Sequence, residues 1–273
     1  IHCPFCHSQN WSMGLSLNRQ ATNCWKCGPH PIQETLCRAS KNHNYRHHYK
    51  PTNRDKKNQE TTGNYQEPTT YKLGPQAQEY LQNRGLNPST MEQVWGARST
   101  GTLGPLAHRI FLPVLHEKTP CSWVARSLGK AKPRYLTPPP QEEGYPIKKT
   151  LYGAWNVPRH TPYVVVCEGP LDVCKLGPGA IGLYGTAISR EQLYQILNYP
   201  IVFLALDQDT PGQRATEKLG NVITFAGGIT IKLGLPGPAK DPGDLSQDQV
   251  KDLWKLVHLY LQENKKIPET NYN

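Results

Sequence analysis

Long hydrophobic runs are absent from this sequence of 273 residues. Its longest apolar stretches, residues 163–167 and 201–206, are far shorter than the ~20 residues that cross a bilayer, so the sequence predicts no membrane segment. Because nothing at the amino end resembles a signal peptide, we expect a cytoplasmic protein whose thiols stay reduced. A phosphate-binding loop of the form GxxxxGK followed by Ser or Thr is also absent, so we expect no P-loop motor in this sequence.

Charged residues make up only 19% of the chain, and acidic residues are the scarcer kind. The 31 Lys and Arg exceed the 21 Asp and Glu, which gives a formal charge of +10. The first 160 residues carry +12 and the remainder −2, and this asymmetry predicts a polyanion-binding surface beside a more acidic region. The 25 Pro and 23 Gly exclude a coiled coil and indicate long loops around a modest core.

Two CxxC pairs, Cys3 with Cys6 and Cys24 with Cys27, lie near the amino end and are separated by 17 residues. Four thiolates in two turns can surround one Zn²⁺ tetrahedrally at ~2.3 Å, with a β-hairpin between the pairs. We therefore predict a small β zinc ribbon over residues 1–37 whose folding depends on the metal. A pair of disulfides is the alternative, which a reducing compartment disfavours. Second-choice ligands nearby are His2, His7, His30 and Cys37.

Aromatic, basic and amide side chains in and beside this hairpin suit stacking on unpaired bases and hydrogen bonding to them. From the sequence, packing and solvation explain the same side chains equally well. The candidates for template reading are Trp11, Asn18, Arg19, Gln20 and Trp25.

Residues 38–70 have no hydrophobic period and almost no aliphatic side chains, so we predict a flexible basic linker. Order resumes in residues 71–160, where basic residues are interleaved with aromatic ones. Interleaving of this kind predicts a basic subdomain whose cations hold phosphates and whose rings stack on bases, and an ordinary mixed surface is the alternative. The candidate residues are Lys132, Arg134, Tyr135 and Lys148.

Residues 161–262 alternate strands with helices, which predicts a parallel sheet whose ligand site lies beyond the carboxyl ends of the strands. Acidic residues follow those strands. Gathered at one edge, they repel each other unless a cation is bound, and their oxygen atoms favour Mg²⁺ or Mn²⁺. Each carboxylate taken alone is equally suited to capping a helix. The predicted fold class is α/β, with an α+β basic subdomain before the parallel sheet and a polar tail over residues 263–273.

The motifs resemble those of the DnaG-type primases, and most closely the compact primase part of phage primase-helicases. The two CxxC pairs look like the zinc ribbon of that family, and Tyr80-Leu-Gln-Asn-Arg84-Gly-Leu is similar to the helix that opens its polymerase core. Val124-Ala-Arg126 and Lys132-Pro-Arg134-Tyr135 are similar to its basic subdomain. The acidic residues are similar to those of the Toprim fold, which topoisomerases share; they are Glu168, Asp172, Asp207, Asp209 and Asp241.

The resemblance implies a DNA primase that joins ribonucleoside triphosphates into short RNA primers on single-stranded DNA. Glu168, Asp207 and Asp209 would be catalytic and would hold Mg²⁺ or Mn²⁺, with Asp172 and Asp241 as supporting ligands. The residues that would hold nucleotide and template are Arg126, Lys132, Arg134, Tyr135 and Lys148. A separate replicative helicase is the expected partner, and a phage or mobile element in a bacterial host is the expected source.

Two other functions stay open at this point. A Toprim-type nuclease would use the same carboxylates for cleavage, but it would not need the basic run from Lys132 to Tyr135. A non-catalytic protein that binds single-stranded nucleic acid would leave the acidic residues unexplained. One more residue separates Asp241 from Asp244 than in the commoner form of the family motif, so the sequence assigns no role to Asp244.

We predict about one Zn²⁺ per chain. Cys24→Ser should lower the zinc content and the local order of residues 1–37 while the rest of the chain stays folded, because the other residues do not depend on this metal for their core. Elemental analysis of reduced, carefully purified protein measures the metal. Zinc-free wild-type protein would contradict the prediction.

Overall fold

The computed structural model describes residues 13–16, 21–24, 28–31, 63–158 and 161–264. These residues fall into two compact units. The smaller unit contains the first three strands, and the larger contains the elements from Pro75 onward apart from Val222–Gly227. Among the described helices, none combines the length and the apolar character needed to cross a membrane.

The smaller unit contains an antiparallel sheet of three strands, β1 (Met13–Ser16), β2 (Ala21–Cys24) and β3 (Gly28–Pro31). Pairing of β1 with β2 agrees with the hairpin expected between the two CxxC pairs. The side chain of Cys24 lies outside the described part of the structure, so the zinc site stays a prediction. The other predicted residues of this module that lie outside the described residues are Cys3, Cys6, Cys27, Trp11, Asn18, Arg19, Gln20 and Trp25.

The larger unit begins with two short helices, α1 (Pro75–Asn83) and α2 (Pro88–Trp95). Proline at the first turn of each helix costs no hydrogen bond, because the first amides of a helix have no partner within it. The Asn87 side chain accepts a hydrogen bond from the Thr90 amide at 3.1 Å and so caps α2. Gly96, with φ of 64°, ends α2 in the left-handed conformation that glycine adopts without strain.

An antiparallel sheet follows, with strands in the order β4 (Arg98–Ser99), β5 (Arg109–His116), β6 (Thr119–Ser127) and β7 (Tyr135–Leu136). Successive side chains of β5 point to opposite faces of the sheet, and both faces are buried. Ile110, Leu112 and Val114 join the main core, whereas Phe111 packs in a separate cluster with Trp123 and Ala125.

The second sheet of this unit is parallel, with the order β11 (Ile229–Lys232), β10 (Ile201–Leu204), β8 (Tyr163–Cys167) and β9 (Ala180–Gly182). Helices α3 (Pro170–Leu176), α4 (Arg190–Ile196) and α5 (Thr210–Phe225) connect the strands, and α6 (Gln247–Glu263) follows the last strand. The two central strands are buried almost throughout, as helices on both faces require. The predicted α/β fold class with a parallel sheet is confirmed.

The last residues of the predicted flexible linker, residues 63–70, are packed against the antiparallel sheet, so the linker prediction is wrong for them. The Gln66 amide donates to the Glu142 carbonyl at 3.1 Å, and the Gln66 carbonyl accepts a hydrogen bond from Trp123 Nε1 at 3.2 Å. Tyr65 packs on the cluster around Trp123. Backbone hydrogen bonds and one partly buried ring hold this polar stretch, which composition alone does not reveal. The remaining boundaries of the predicted domains stay predictions.

Tyr65→Ala should lower the stability of the larger unit by about 2 kcal/mol, because it removes a ring from a buried aromatic cluster. Asn64→Ala, at the exposed neighbouring residue, is the matched control and should cost within ~0.5 kcal/mol. Denaturant unfolding of the full chain measures both values. Equal effects of the two substitutions would show that residues 63–70 contribute nothing to the fold.

Candidate active site

Acidic residues surround the carboxyl ends of the parallel strands. Glu168 directly follows β8, and Asp207 lies between β10 and α5. Asp209 immediately precedes α5, while Asp172 lies in the first turn of α3. Asp241 precedes the one-turn helix Pro242–Asp244, and the Gln208 amide donates to the Lys240 carbonyl at 2.7 Å, which links the loops of Asp207 and Asp241. Parallel strands therefore bring all five carboxylates to one sheet edge, here called the acidic edge.

Backbone amides orient three of these carboxylates. The Gly169 amide donates to Asp172 Oδ2 at 3.0 Å, and the Asp207 amide donates to Glu168 Oε1 at 3.4 Å. The Gly212 amide donates to Asp209 Oδ1 at 2.8 Å, so Asp209 has the capping role that was the alternative to metal binding. Each of these bonds uses one oxygen atom, and the second oxygen of the carboxylate remains available for another partner.

Burial and mutual repulsion make the acidic edge electrostatically costly. Burial raises the pKa of Asp172 to about 7, and the Asp241 carboxylate adds to the rise. Burial likewise raises the pKa of Asp207 to about 7, with the Glu168 carboxylate as the next cause. The pKa of Glu168 is also raised, by burial and then by Asp209 and Asp241. An added cation would lower the free energy of this edge.

The five carboxylates have the chemistry that a hard divalent cation prefers, but they do not form a complete metal site as placed. Within the described residues, no group of three His, Cys, Asp or Glu side chains is close enough to hold a metal ion as placed. Asp241 Oδ1 is buried and makes no hydrogen bond within the described residues, so it remains available to a positively charged partner. An all-oxygen set of this charge favours Mg²⁺ or Mn²⁺.

Of the predicted basic-subdomain residues, Tyr135 reaches the acidic edge, and Arg126 packs against its ring. The Arg126 guanidinium lies 4.9 Å from the centre of the Tyr135 ring, and its Nε donates to Tyr80 Oη at 2.9 Å. Tyr135 Oη lies 4.0 Å from the position that a Cβ on Gly169 would occupy. The Tyr135 hydroxyl thus lies beside the amino end of α3, and the buried Arg126 packs on the ring of that tyrosine. Such an arginine is suited to an anionic ligand at this edge.

The other predicted basic residues, Lys132, Arg134 and Lys148, are exposed, and the described contacts do not connect them to the acidic edge. Arg109, whose segment resembles the basic subdomain of the family, shapes the loop of Lys132 and Arg134, a role that the sequence did not predict. Its Nη1 donates to the carbonyls of Ala125 at 3.2 Å, Pro133 at 3.1 Å and Arg134 at 3.4 Å. An arginine within an otherwise apolar strand is the signal that could have identified this role.

Sequence reasoning also missed Gly243 and assigned no role to Arg84. A Cβ on Gly243 would lie 2.9 Å from each of three atoms, Arg84 Nη2, Asp172 Oδ1 and Asp241 Oδ1. Only glycine fits at position 243 without displacing these atoms. The Arg84 guanidinium lies next to two of the carboxylates. The signal for Arg84 was its place in the polymerase-core motif, directly before a glycine.

Comparison with known proteins agrees with this arrangement. Residues 165–246 match the Toprim-like family model. The chain is 26% identical over 291 residues to the DNA primase of Haemophilus influenzae, covering 82% of this chain and 49% of that protein, so it spans about half the length of this relative.

Two solved structures share the fold. A DNA primase domain from Pseudomonas aeruginosa has a TM-score of 0.56 at 20% identity, covering 68% of this chain and 74% of that chain. The zinc-binding and RNA polymerase domains of Aquifex aeolicus primase have a TM-score of 0.56 at 15% identity, covering 97% of this chain and 82% of that chain. The resemblance to DnaG-type primases that the sequence predicted is confirmed.

The raised pKa values predict how stability depends on pH. Asp172 and Asp207 have ordinary pKa values near 3.8 when unfolded and values of about 7 when folded, so the folded state binds their protons more tightly. The free energy of unfolding should therefore fall as the pH rises from about 4 to 7. Added Mg²⁺ should offset the loss above pH 7.

Denaturant unfolding of metal-free protein across this pH range measures the slope. Asp207→Asn should flatten it, because one of the two titrating groups is removed. Asp252→Asn, on the exposed face of α6, is the control and should keep the wild-type slope. A wild-type slope in Asp207→Asn would mean that Asp207 does not titrate in this range.

Proposed function

We propose that this chain, which is similar to DnaG-type primases in sequence and fold, is a metal-dependent DNA primase that makes short RNA primers on single-stranded DNA. The observation that carries the proposal is the meeting of two features in one unit. An acidic edge follows the strands of a Toprim-like parallel sheet, and Tyr135, whose ring packs on the buried Arg126, approaches that edge from the antiparallel sheet.

Glu168, Asp207 and Asp209 are the proposed holders of the catalytic ions. They are partly buried or exposed at the open side of the edge, where a triphosphate can reach them. A bound divalent cation there would neutralise charge on the triphosphate and lower the pKa of the attacking 3′-hydroxyl. The amides of Asp207 and Gly212 orient two of these carboxylates before any ligand arrives.

Arg126 is the proposed contact to the phosphates of the incoming nucleotide. Tyr80 accepts a hydrogen bond from its Nε, and the Tyr135 ring covers one face of its guanidinium. These contacts fix the guanidinium and leave donors for an anionic partner. Exposed Lys132, Arg134 and Lys148 are the proposed contacts to template phosphates, which need charge but little shape.

The remaining assignments complete the proposal. Cys3, Cys6, Cys24 and Cys27 would hold one structural Zn²⁺, and the zinc-binding domain of Aquifex aeolicus primase supports this. The ribbon would read the template through Trp11, Asn18, Arg19, Gln20 and Trp25. Single-stranded DNA, ribonucleoside triphosphates and a separate helicase are the proposed partners. A phage or mobile-element source and a cytoplasmic location belong to the same proposal.

A Toprim-type nuclease is the second candidate, because the same carboxylates suit cleavage of a phosphodiester. The Arg126–Tyr135 pair favours primase, because a nuclease has no separate triphosphate to hold. A non-catalytic binding protein is disfavoured by the cost of gathering partly buried carboxylates that it would not use.

Asp207→Asn and Glu168→Gln should each lower nucleotide incorporation at least ~100-fold, because each removes a negative charge from the proposed ion site. The assay supplies labelled ribonucleoside triphosphates, a random pool of single-stranded templates and Mg²⁺ or Mn²⁺, and resolves products by size. Asp252→Asn is the matched control and should keep wild-type synthesis. Fluorescence anisotropy should show that Asp207→Asn and Glu168→Gln bind single-stranded DNA as tightly as wild type or slightly more tightly, because a charge that repels phosphates is lost.

Near-normal synthesis by either of these two variants would contradict the catalytic role of the acidic edge. Degradation of template by wild-type protein, without synthesis, would favour the nuclease.

A further inference from the structure

The side chain of Arg84 reaches from the end of α1 to the acidic edge. Its Nη2 and the oxygens Asp172 Oδ1 and Asp241 Oδ1 surround Gly243, each 2.9 Å from the position of an added Cβ. Gly243 itself is buried. Arg84 Nη2 therefore lies no farther than twice that distance from either carboxylate oxygen, which is close enough for the charges to attract.

Two polar atoms of this group have no hydrogen-bond partner. Arg84 Nε and Asp241 Oδ1 are both buried, and neither makes a hydrogen bond within the described part of the chain. The arginine and the aspartate thus interact by proximity of charge, not by a paired fork of hydrogen bonds. Removing one charge would leave a partly buried charge of opposite sign without its neighbour, which costs stability.

Three helices fix the backbone and side chain of Arg84. Lys175 Nζ, from α3, donates to the Arg84 carbonyl, and Gln247 Nε2, from α6, donates to the Gly85 carbonyl at 2.9 Å. The guanidinium lies 5.9 Å from the ring centre of Tyr80 on α1. Lys175 is only 6% exposed, and burial lowers its pKa. Burying a lysine costs free energy. Its hydrogen bond to a single carbonyl oxygen therefore indicates that the structure requires the backbone of Arg84 at this position.

We propose that Arg84 is a positioning residue that supplies a fixed positive charge to Asp172 and Asp241. This charge holds the two carboxylates side by side without a metal ion and leaves Glu168, Asp207 and Asp209 as the group that takes the divalent cation. The division of the five carboxylates rests on the proposed function, whereas the coupling of Arg84 to Asp241 does not.

A thermal-unfolding cycle tests the coupling without any activity assay. In metal-free full-length protein, Arg84→Gln should lower the Tm of the larger unit by about 5 °C or more, and Arg84→Lys by less than half as much. Arg190→Gln is the matched control, because the Arg190 guanidinium also lies over a tyrosine ring, 5.3 Å from the centre of Tyr194. It should lower the Tm by less than ~2 °C.

The same cycle includes Asp241→Asn. Introducing Arg84→Gln into the Asp241→Asn variant should lower the Tm by less than half of its effect in wild-type protein, because one of the repelling carboxylates is gone. An equal loss in the two backgrounds, or a loss no larger than that of Arg190→Gln, would overturn the coupling.

Gly243→Ala provides a second variant that keeps every charge. Its methyl group would displace Arg84, Asp172 or Asp241, so it should reproduce most of the Tm loss of Arg84→Gln. Gly234→Ala is the control, because a Cβ there meets no atom within 4 Å, and it should be neutral. A neutral Gly243→Ala would show that the three groups are not held in contact.

The effect of Mg²⁺ on the Tm tests the division of the five carboxylates into two groups. Mg²⁺ should raise the Tm of Arg84→Gln more than that of wild type, because an ion can occupy the place of the lost guanidinium. Asp207→Asn should instead lose most of the wild-type rise. Equal Mg²⁺ effects in Arg84→Gln and wild type would overturn the division. Failure of the primase assay with an intact Tm cycle would overturn the proposed function and leave the coupling standing.

Discussion

Repulsion among carboxylates at one edge of a parallel sheet is the constraint on which the rest of this structure depends. The strands β8 and β10 are buried on both faces, so their ends bring Glu168 and Asp207 together in a place of limited water access. Such a cluster lowers stability in the absence of a cation, as the raised pKa values of Asp172 and Asp207 indicate. A protein keeps such a cluster when its function uses the repulsion to hold a cation.

The compensating charges come from outside the parallel sheet. Arg84 belongs to the helix that precedes the antiparallel sheet, and Arg126 belongs to that sheet itself. Tyr80 connects them, because its hydroxyl accepts a hydrogen bond from Arg126 and its ring lies near Arg84. Aromatic rings, Tyr80 and Tyr135, therefore connect the two arginines to the neighbourhood of the acidic edge. Packing of a common core, which includes Leu81 and Val165, supports this arrangement without specifying it.

The parallel sheet and its acidic edge could be predicted from the sequence because both follow from local pattern. Apolar runs end at carboxylates, and parallel strands bring their carboxyl ends together. The place of Arg84 could not be predicted, because its contact with Asp241 joins residues far apart in the chain. Residues 63–70 were assigned to the linker because their composition is polar, yet Gln66 and Tyr65 fix them to the sheet. Asp209 shows a further limit, since capping and ion binding require the same residue type after a strand.

Positive charge is distributed unevenly around the five carboxylates. This explains how one part of the cluster can be stabilised by an arginine while the other part binds a cation. Asp172 is almost fully buried and has both a backbone donor and Arg84 nearby, which oppose the rise in its pKa that burial and Asp241 cause. Asp209 is exposed, and Glu168 and Asp207 are only partly buried. A cation arriving from solvent meets this second group first and gains most there, because the guanidinium repels it from Asp172. The site of ion binding is thus set by where the protein placed its arginine as much as by where it placed its carboxylates.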